Sequence, residues 1–394
     1  MKNKSDFFLN NFFEFENRGC ICQKETIHSA PDEPPYHILK LCSVPQNPLY
    51  FSYSAQKGLN QSGNAGGIMS ENILGQLLAL PSDDLDSVIR FFEKYGFLLP
   101  ISTEVYESID EYSLFTIINR IKATIKLMGT IAGKRDYKNM LILTTYLLYS
   151  APVTIKLSTG EYSTCFHPYQ QILGQYSNML EPGTSQEIYE TGFFSVEDTI
   201  TGGYNKVSSD DILGMQSGDG IFNLPGSREP HYSNLFALYT NYASDDVNLR
   251  TIIDFYYHYQ TEVGIFKDVS INSLSYHAAP KRENFSDAMK ESLLKIAQLV
   301  ISKEINYHLK GISPQYEMST LSPSWKLNSF IEALYFSVFY MKPGVELYKE
   351  CENPTCKRDK YFLIKATATN KKYCCQACSN AAAQRRSRQN KLSK

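Results

Sequence analysis

The sequence predicts a mainly α fold of the α+β kind, a large helical body with β-hairpins that ends in a small cysteine-rich module. Three observations predict it. Apolar residues recur at helical spacing in several long segments, short alternating stretches interrupt them, and five of the nine cysteines crowd between 351 and 378. With 394 residues, 43% of them hydrophobic, the chain can bury one large core or two moderate ones. The domain boundary falls at 340/341, with residues 1–340 as the mainly helical domain and 341–394 as the terminal module.

Residues 1 to about 68 mix aromatic stretches with turn formers. Prolines at 31, 34, 35, 45 and 48 predict irregular structure and short strands there. LPSDDLDSVIRFFEKYG then has the marks of a helix: Ser82 as cap, acids at 83, 84 and 86 at the positive end of its dipole, Gly96 to stop it. Leu114, Ile117, Ile118, Ile121, Ile125 and Met128 make the stripe of a second helix over 112–131. Met140 to Tyr149 is apolar all round, a buried helix, and VTIKLSTGEYSTCF turns at Ser158–Gly160 as a hairpin does. Residues 167–285 are punctuated by TGGYNKVSSDD and GMQSGDG and read as short strands or loops, with FYYHYQTEVGIF between. Helical order returns at SDAMKESLLKIAQLVISKEINYHL, capped by Ser286 or Asp287, and at SWKLNSFIEALYFSVFYM from Ser324.

The cysteines carry the chemistry. Cys351 and Cys356 are spaced C-x4-C, Cys374 and Cys378 C-x3-C, and seventeen residues separate the pairs. Zinc takes four soft ligands in a tetrahedron, and two short-spaced pairs supply them because each pair bends round one edge of the ion. No histidine follows His308, so a local site is all cysteine. A second pairing, Cys375 with Cys378 as C-x2-C, stays open. CENPTC has Asn353 and Pro354 for its turn, KRDKYFLIKATATNKKY has the alternation of a hairpin with Tyr361 and Phe362 as its small core, and SNAAAQRRSRQNK favours helix. Knuckle, hairpin, then ligands at a helix start is a treble-clef arrangement, so the module reads as a zinc finger. Cys20, Cys22 and Cys42 read by default as small buried hydrophobes, with a second metal site as the sharper alternative.

CENPTC, the aromatic before a cysteine in KKYCCQAC, and the Asn-Ala-Arg run behind it resemble the CGNR-type zinc fingers of bacterial proteins and their relatives. The resemblance covers roughly residues 325–390. The name-giving tetrad reads Cys378, Ser379, Asn380, Ala381 here, so its glycine and arginine are replaced. The related pattern Tyr-Cys-Ser-x-x-Cys fits better, with Cys375 at the serine, and it implies Cys374 as ligand and Cys375 as bystander. The resemblance to the CGNR-type proteins implies a helical N-terminal domain and a role in transcription regulation.

Charge sharpens the partner. From Lys357 to Lys394 there are eleven Lys and Arg against one acid, +10, which leaves 28 bases and 40 acids, −12, on the rest. A basic end on an acidic body is expected where one end meets a polyanion such as DNA. Arg385, Arg388 and Lys391 are spaced three apart as a cationic row, with Arg386 beside it, all candidates for phosphate contact. The competing expectation is a zinc-held structural or protein-interaction module; a homo-oligomer fits either. No apolar h-region opens the sequence and no apolar run reaches the roughly 20 residues of a membrane helix, so the protein is expected to be cytoplasmic. No Walker lysine, G-x-S-x-G, H-E-x-x-H or dinucleotide fingerprint occurs, and the chain is not read as an enzyme.

Overall fold

The computed structural model describes residues 13–28, 35–54, 58–62, 68–132, 135–170, 224–227, 229–241, 246–281, 285–318, 321–341, 346–356, 360–368 and 370–392. Both glycine-serine stretches of the centre, TGGYNKVSSDD and GMQSGDG, lie outside them. The chain divides into two compact units: Met1–Lys134 with Pro152–Cys165 and Glu304–Lys394, and Arg135–Ala151 with Phe166–Lys303. The boundary that the sequence places at 340/341 therefore falls inside the first unit.

Strand corrects the expected fold class. The described residues are 47% helix and 28% strand, so the fold is mixed rather than mainly α. The largest error lies at the N-terminal end, where the prolines suggested irregular structure. There β1 (Phe13–Ile27) and β2 (Tyr36–Ser54) run antiparallel for almost their whole length. The register explains why Pro45 and Pro48 are tolerated. Arg18 pairs with Pro48 and Cys20 with Ser43, so residues 44–47 bulge out opposite the single Gly19. Asn47 folds over Gly19, where a Cβ would collide with its side chain. β3 (Gly58–Ser62), β4 (Ile68–Asn72) and β5 (Glu107–Asp110) complete the sheet, with β3 and β5 pairing opposite halves of β2.

Alternation places Phe13, Phe15, Phe51 and Tyr53 on one buried face of this sheet. The helix Phe330–Tyr340 covers it, with the Phe330 ring 4.9 Å from Phe51 and the Phe336 ring 4.9 Å from Phe13. Ser324 and Trp325 belong to the hairpin Ser313–Glu317/Ser322–Lys326 that precedes this helix, so the helix begins after its cap Ser329 rather than at Ser324. The helix Leu85–Tyr95 packs on β1, capped by Asp84 rather than Ser82 and stopped by Gly96 at φ +81°. The Asn17 side chain donates to the carbonyls of Tyr95 and Phe97 just beyond it.

The helix Glu111–Ala132 buries its expected stripe but also Arg120 and Lys122. Arg120 pairs with the buried Glu304, and the same cluster holds His308, whose Nε2 meets the Tyr162 hydroxyl at 2.8 Å and whose ring stacks on Tyr335. Burial pushes the His308 imidazole down to about 4, so it is neutral in the fold at neutral pH.

In the second unit the apolar segment from Met140 lies in the helix Tyr137–Tyr149, as its composition requires. The FYYHYQ stretch corrects the expectation of short strands or loops. It lies in the helix Val247–Glu262, whose residues 252 to 260 are all buried, Asp254, His258 and Gln260 among them, so burial on every side leaves no period of 3.6 to read. Tyr239 stacks on Tyr257 at 3.7 Å, and Tyr149, Tyr169 and Tyr256 form a second aromatic group.

Candidate metal centre

The terminal module is assembled around one antiparallel hairpin, Glu346–Glu350 paired with Tyr361–Lys365. The first cysteine pair lies in the loop that joins these strands, so the hairpin partner of YFLIK is ELYKE upstream rather than a strand between the two pairs. Phe362 and Ile364 point into a core with Cys351 and Cys378, and Leu347, Tyr373 and the remaining cysteines pack around it. Backbone hydrogen bonds place the knuckle: Cys351 N–H donates to Lys360 at 2.7 Å, Glu352 N–H to Lys372 at 2.9 Å, and Cys356 N–H to Asn353 at 3.0 Å.

The second pair stands at the start of the helix Gln376–Leu392. Cys378 lies in its first turn and Cys374 just before it. The four sulfurs of Cys351, Cys356, Cys374 and Cys378 converge, each within 4.8 Å of every other, and they can hold a metal ion. Three edges of the group, Cys356–Cys374, Cys374–Cys378 and Cys378–Cys356, are each 3.6 Å.

Cys375 plays a different part. Its sulfur is 3.7 Å from that of Cys374 but outside the converging group. It caps the helix instead: its carbonyl accepts from Ser379 N–H, and its thiol is held below the ordinary value first by the Cys378 backbone N–H. Burial, followed by the Cys356 and Cys378 thiols, raises Cys374. Crowded thiols resist ionising together; a divalent cation among them reverses that preference by binding the thiolates.

The basic residues separate. Cys378, Ala382 and Arg385, spaced four and then three, line the inner face of the helix; Cys378 and Ala382 are buried. Arg385 is half-buried and donates to the Asn353 carbonyl oxygen Oδ1 at 2.5 Å and to the Thr355 hydroxyl. Arg386 and Arg388 are exposed. Lys391 lies in the last turn of the same helix. Lys360–Glu350 at 2.8 Å and Lys372–Glu352 at 3.4 Å are ion pairs of the module, and neither involves an arginine of the helix.

Within the first unit the hairpin is docked on the body. The Tyr348 hydroxyl donates to Asn72 Oδ1 at 2.6 Å, and that oxygen also caps the helix Ile73–Ala79 by accepting from Gly75 N–H at 3.0 Å. Gly75 lies against the Tyr361 carbonyl so closely that a Cβ would collide with it. None of this was legible in sequence, because Asn72 and Tyr348 are 276 residues apart. The early thiols do not gather: Cys20 and Cys22 face one way, their sulfurs 3.7 Å apart, while Cys42 pairs with Ile21 and so shares its opposite face. Among the described residues no helix is long and apolar enough to cross a membrane.

No family model matches the chain, and no curated protein or solved structure matches it.

Proposed function

We propose that the protein binds one zinc ion through Cys351, Cys356, Cys374 and Cys378, and that the helix behind the site presents basic side chains to nucleic acid, as a DNA-binding regulator would. The observation that carries the zinc assignment is the sulfur geometry. A regular tetrahedron with zinc–sulfur bonds of about 2.3 Å has edges of about 3.8 Å, and three edges here are 3.6 Å. Four thiolates also suit a soft divalent ion over magnesium or calcium, which take oxygen. The resemblance to CGNR-type fingers, with Cys374 as ligand, supports the same reading.

The nucleic-acid reading is supported by the +10 segment and by the exposure of Arg386 and Arg388 on a helix anchored at its start. Phosphate contacts of this kind show as a salt-dependent affinity with a slope of about −0.9 for each phosphate neutralised on duplex DNA. The test is binding of the zinc-loaded protein to mixed-sequence duplex across a salt series, for wild type and for R386A/R388A. A flatter slope in the variant supports the reading; equal slopes, or no binding by wild type at low salt, refute it.

A second reading is favoured by the docking of the hairpin through Tyr348, Asn72 and Gly75. In it, zinc fastens the end of the chain to the first unit, and the exposed arginines meet an acidic protein partner. Under this reading chelation loosens the module with no change in nucleic-acid binding. A cytoplasmic, reducing location is part of the proposal, since it keeps the thiols available to metal.

A further inference from the structure

We propose that Arg385 and Asn353 form the outer sphere of the metal centre, with Arg385 acting as a positioning residue that clamps the CENPTC knuckle over the first turn of the final helix. The proposal rests on the metal reading but not on nucleic-acid binding. By charge alone Arg385 belongs with Arg386 and Arg388 among phosphate contacts. Its surroundings differ from theirs: it is half-buried, on the same helix face as Cys378 and Ala382, and its guanidinium is committed to two acceptors of the knuckle.

Asn353 is the hub. It is 4% exposed. Its Oδ1 accepts from Arg385 at 2.5 Å and from the Thr355 hydroxyl and N–H at 3.3 and 3.4 Å, and its backbone carbonyl accepts from Cys356 N–H. A chain of contacts thus runs from the guanidinium through Asn353 to the Cys356 N–H, and it ties the turn carrying Cys356 to the helix carrying Cys378.

Two consequences follow for a bound cation. Four thiolates around a divalent ion carry a net charge of −2, and the guanidinium held beside the knuckle by Asn353 and Thr355 offsets part of that charge. The clamp also holds the two halves of the site at bonding separation before the ion arrives. Arginine suits the task because one terminal nitrogen of its planar guanidinium reaches both acceptors in a fixed geometry, which a lysine ammonium does from a less fixed one.

The experiment measures zinc affinity of the full chain by competition with a chromophoric chelator, and the thiolate-to-cobalt absorption bands of the cobalt-loaded protein. The variants are R385A, R385K, N353A, R385A/N353A and, as a surface control, R386A. Loss of an outer-sphere partner typically lowers metal affinity ~10–100-fold. That loss is expected in R385A and N353A, with a shifted cobalt spectrum, while R386A stays at wild-type values. Because the contacts act as one chain, the double variant should lose clearly less than the product of the single losses. R385K should fall between wild type and R385A, and it decides the matter if R385A does not fold. Wild-type affinity and spectrum in R385A, full rescue in R385K, or strictly multiplicative losses would overturn the proposal. A wild-type chain that takes up neither zinc nor cobalt would overturn the metal reading together with it, whereas metal uptake equal in wild type and R385A overturns the outer-sphere role alone.

Discussion

Removing the metal should unravel the last helix and the knuckle while the rest of the first unit keeps its structure. The module has little else to hold it. Besides two ligand sulfurs, its core contains Phe362 and Ile364, and full burial of two such side chains contributes about 3–6 kcal/mol. The helix Gln376–Leu392 has 17 residues, a length at which an isolated helix is marginal in water. Its one strongly buried face is the Cys378–Ala382 pair. A structural zinc contributes on the order of 10–16 kcal/mol, more than the apolar core can. Amide hydrogen exchange with and without a strong chelator measures the result. Peptides across residues 376–392 and 351–356 should lose protection on the order of a hundredfold or more. Those in β1, β2 and the helix Glu111–Ala132 should be unaffected, and the strand Glu346–Glu350, pinned by Tyr348 to Asn72, should respond least within the module. Undiminished protection over 376–392 after complete chelation would refute the reasoning.

Three further outcomes are expected. Cys374→Ser should abolish stoichiometric zinc uptake and Cys375→Ser should leave one ion per chain by elemental analysis, since only Cys374 belongs to the converging group; the reverse pattern would reassign the ligand. Gly75→Ala should destabilise the first unit by about 1–3 kcal/mol in denaturant unfolding, because the Tyr361 carbonyl occupies the space a Cβ needs. Finally, His308 has a folded value of about 4 against 6.5 for the free group. Its contribution is fully present above pH 6.5 and is lost as the pH falls toward 4, because the unfolded chain takes up the proton first. The difference amounts to about 3 kcal/mol. His308→Gln should therefore lower the acid sensitivity of thermal unfolding between pH 7 and 5; an unchanged pH profile would count against a neutral buried imidazole.

Local patterns were the readable part. The stripe from Leu114 to Met128, the stop at Gly96, the cap at Ser286 and the cysteine spacing all express rules acting within a few residues. Errors arose where a local signal was overruled at long range. Pro45 and Pro48 argued against a long strand, but the bulge opposite Gly19 takes up Pro45 and leaves Pro48 at its edge, paired with Arg18. The FYYHYQ segment, aromatic with polar residues interleaved, has no period from which to tell helix from strand, and in the fold it is a helix buried on every side. At the candidate metal centre the four converging cysteines were legible because each pair is short-range, but the strand partner of YFLIK was not, nor was the commitment of Arg385 to Asn353 and Thr355, 32 and 30 residues away.

By itself the sequence determined that four cysteines in two close pairs precede a basic helix, since soft-ligand chemistry and helix propensity depend only on residue type and short spacing. Only the tertiary structure decided that Cys374 turns to its three partners while Cys375 caps the helix, that Arg385 faces the knuckle while Arg386 and Arg388 face solvent, and that Asn72 holds the hairpin to the body. The physical reason is the same in each case. Which way a side chain points on a helix or turn is set by the surface it meets, and that surface comes from chain far away in sequence.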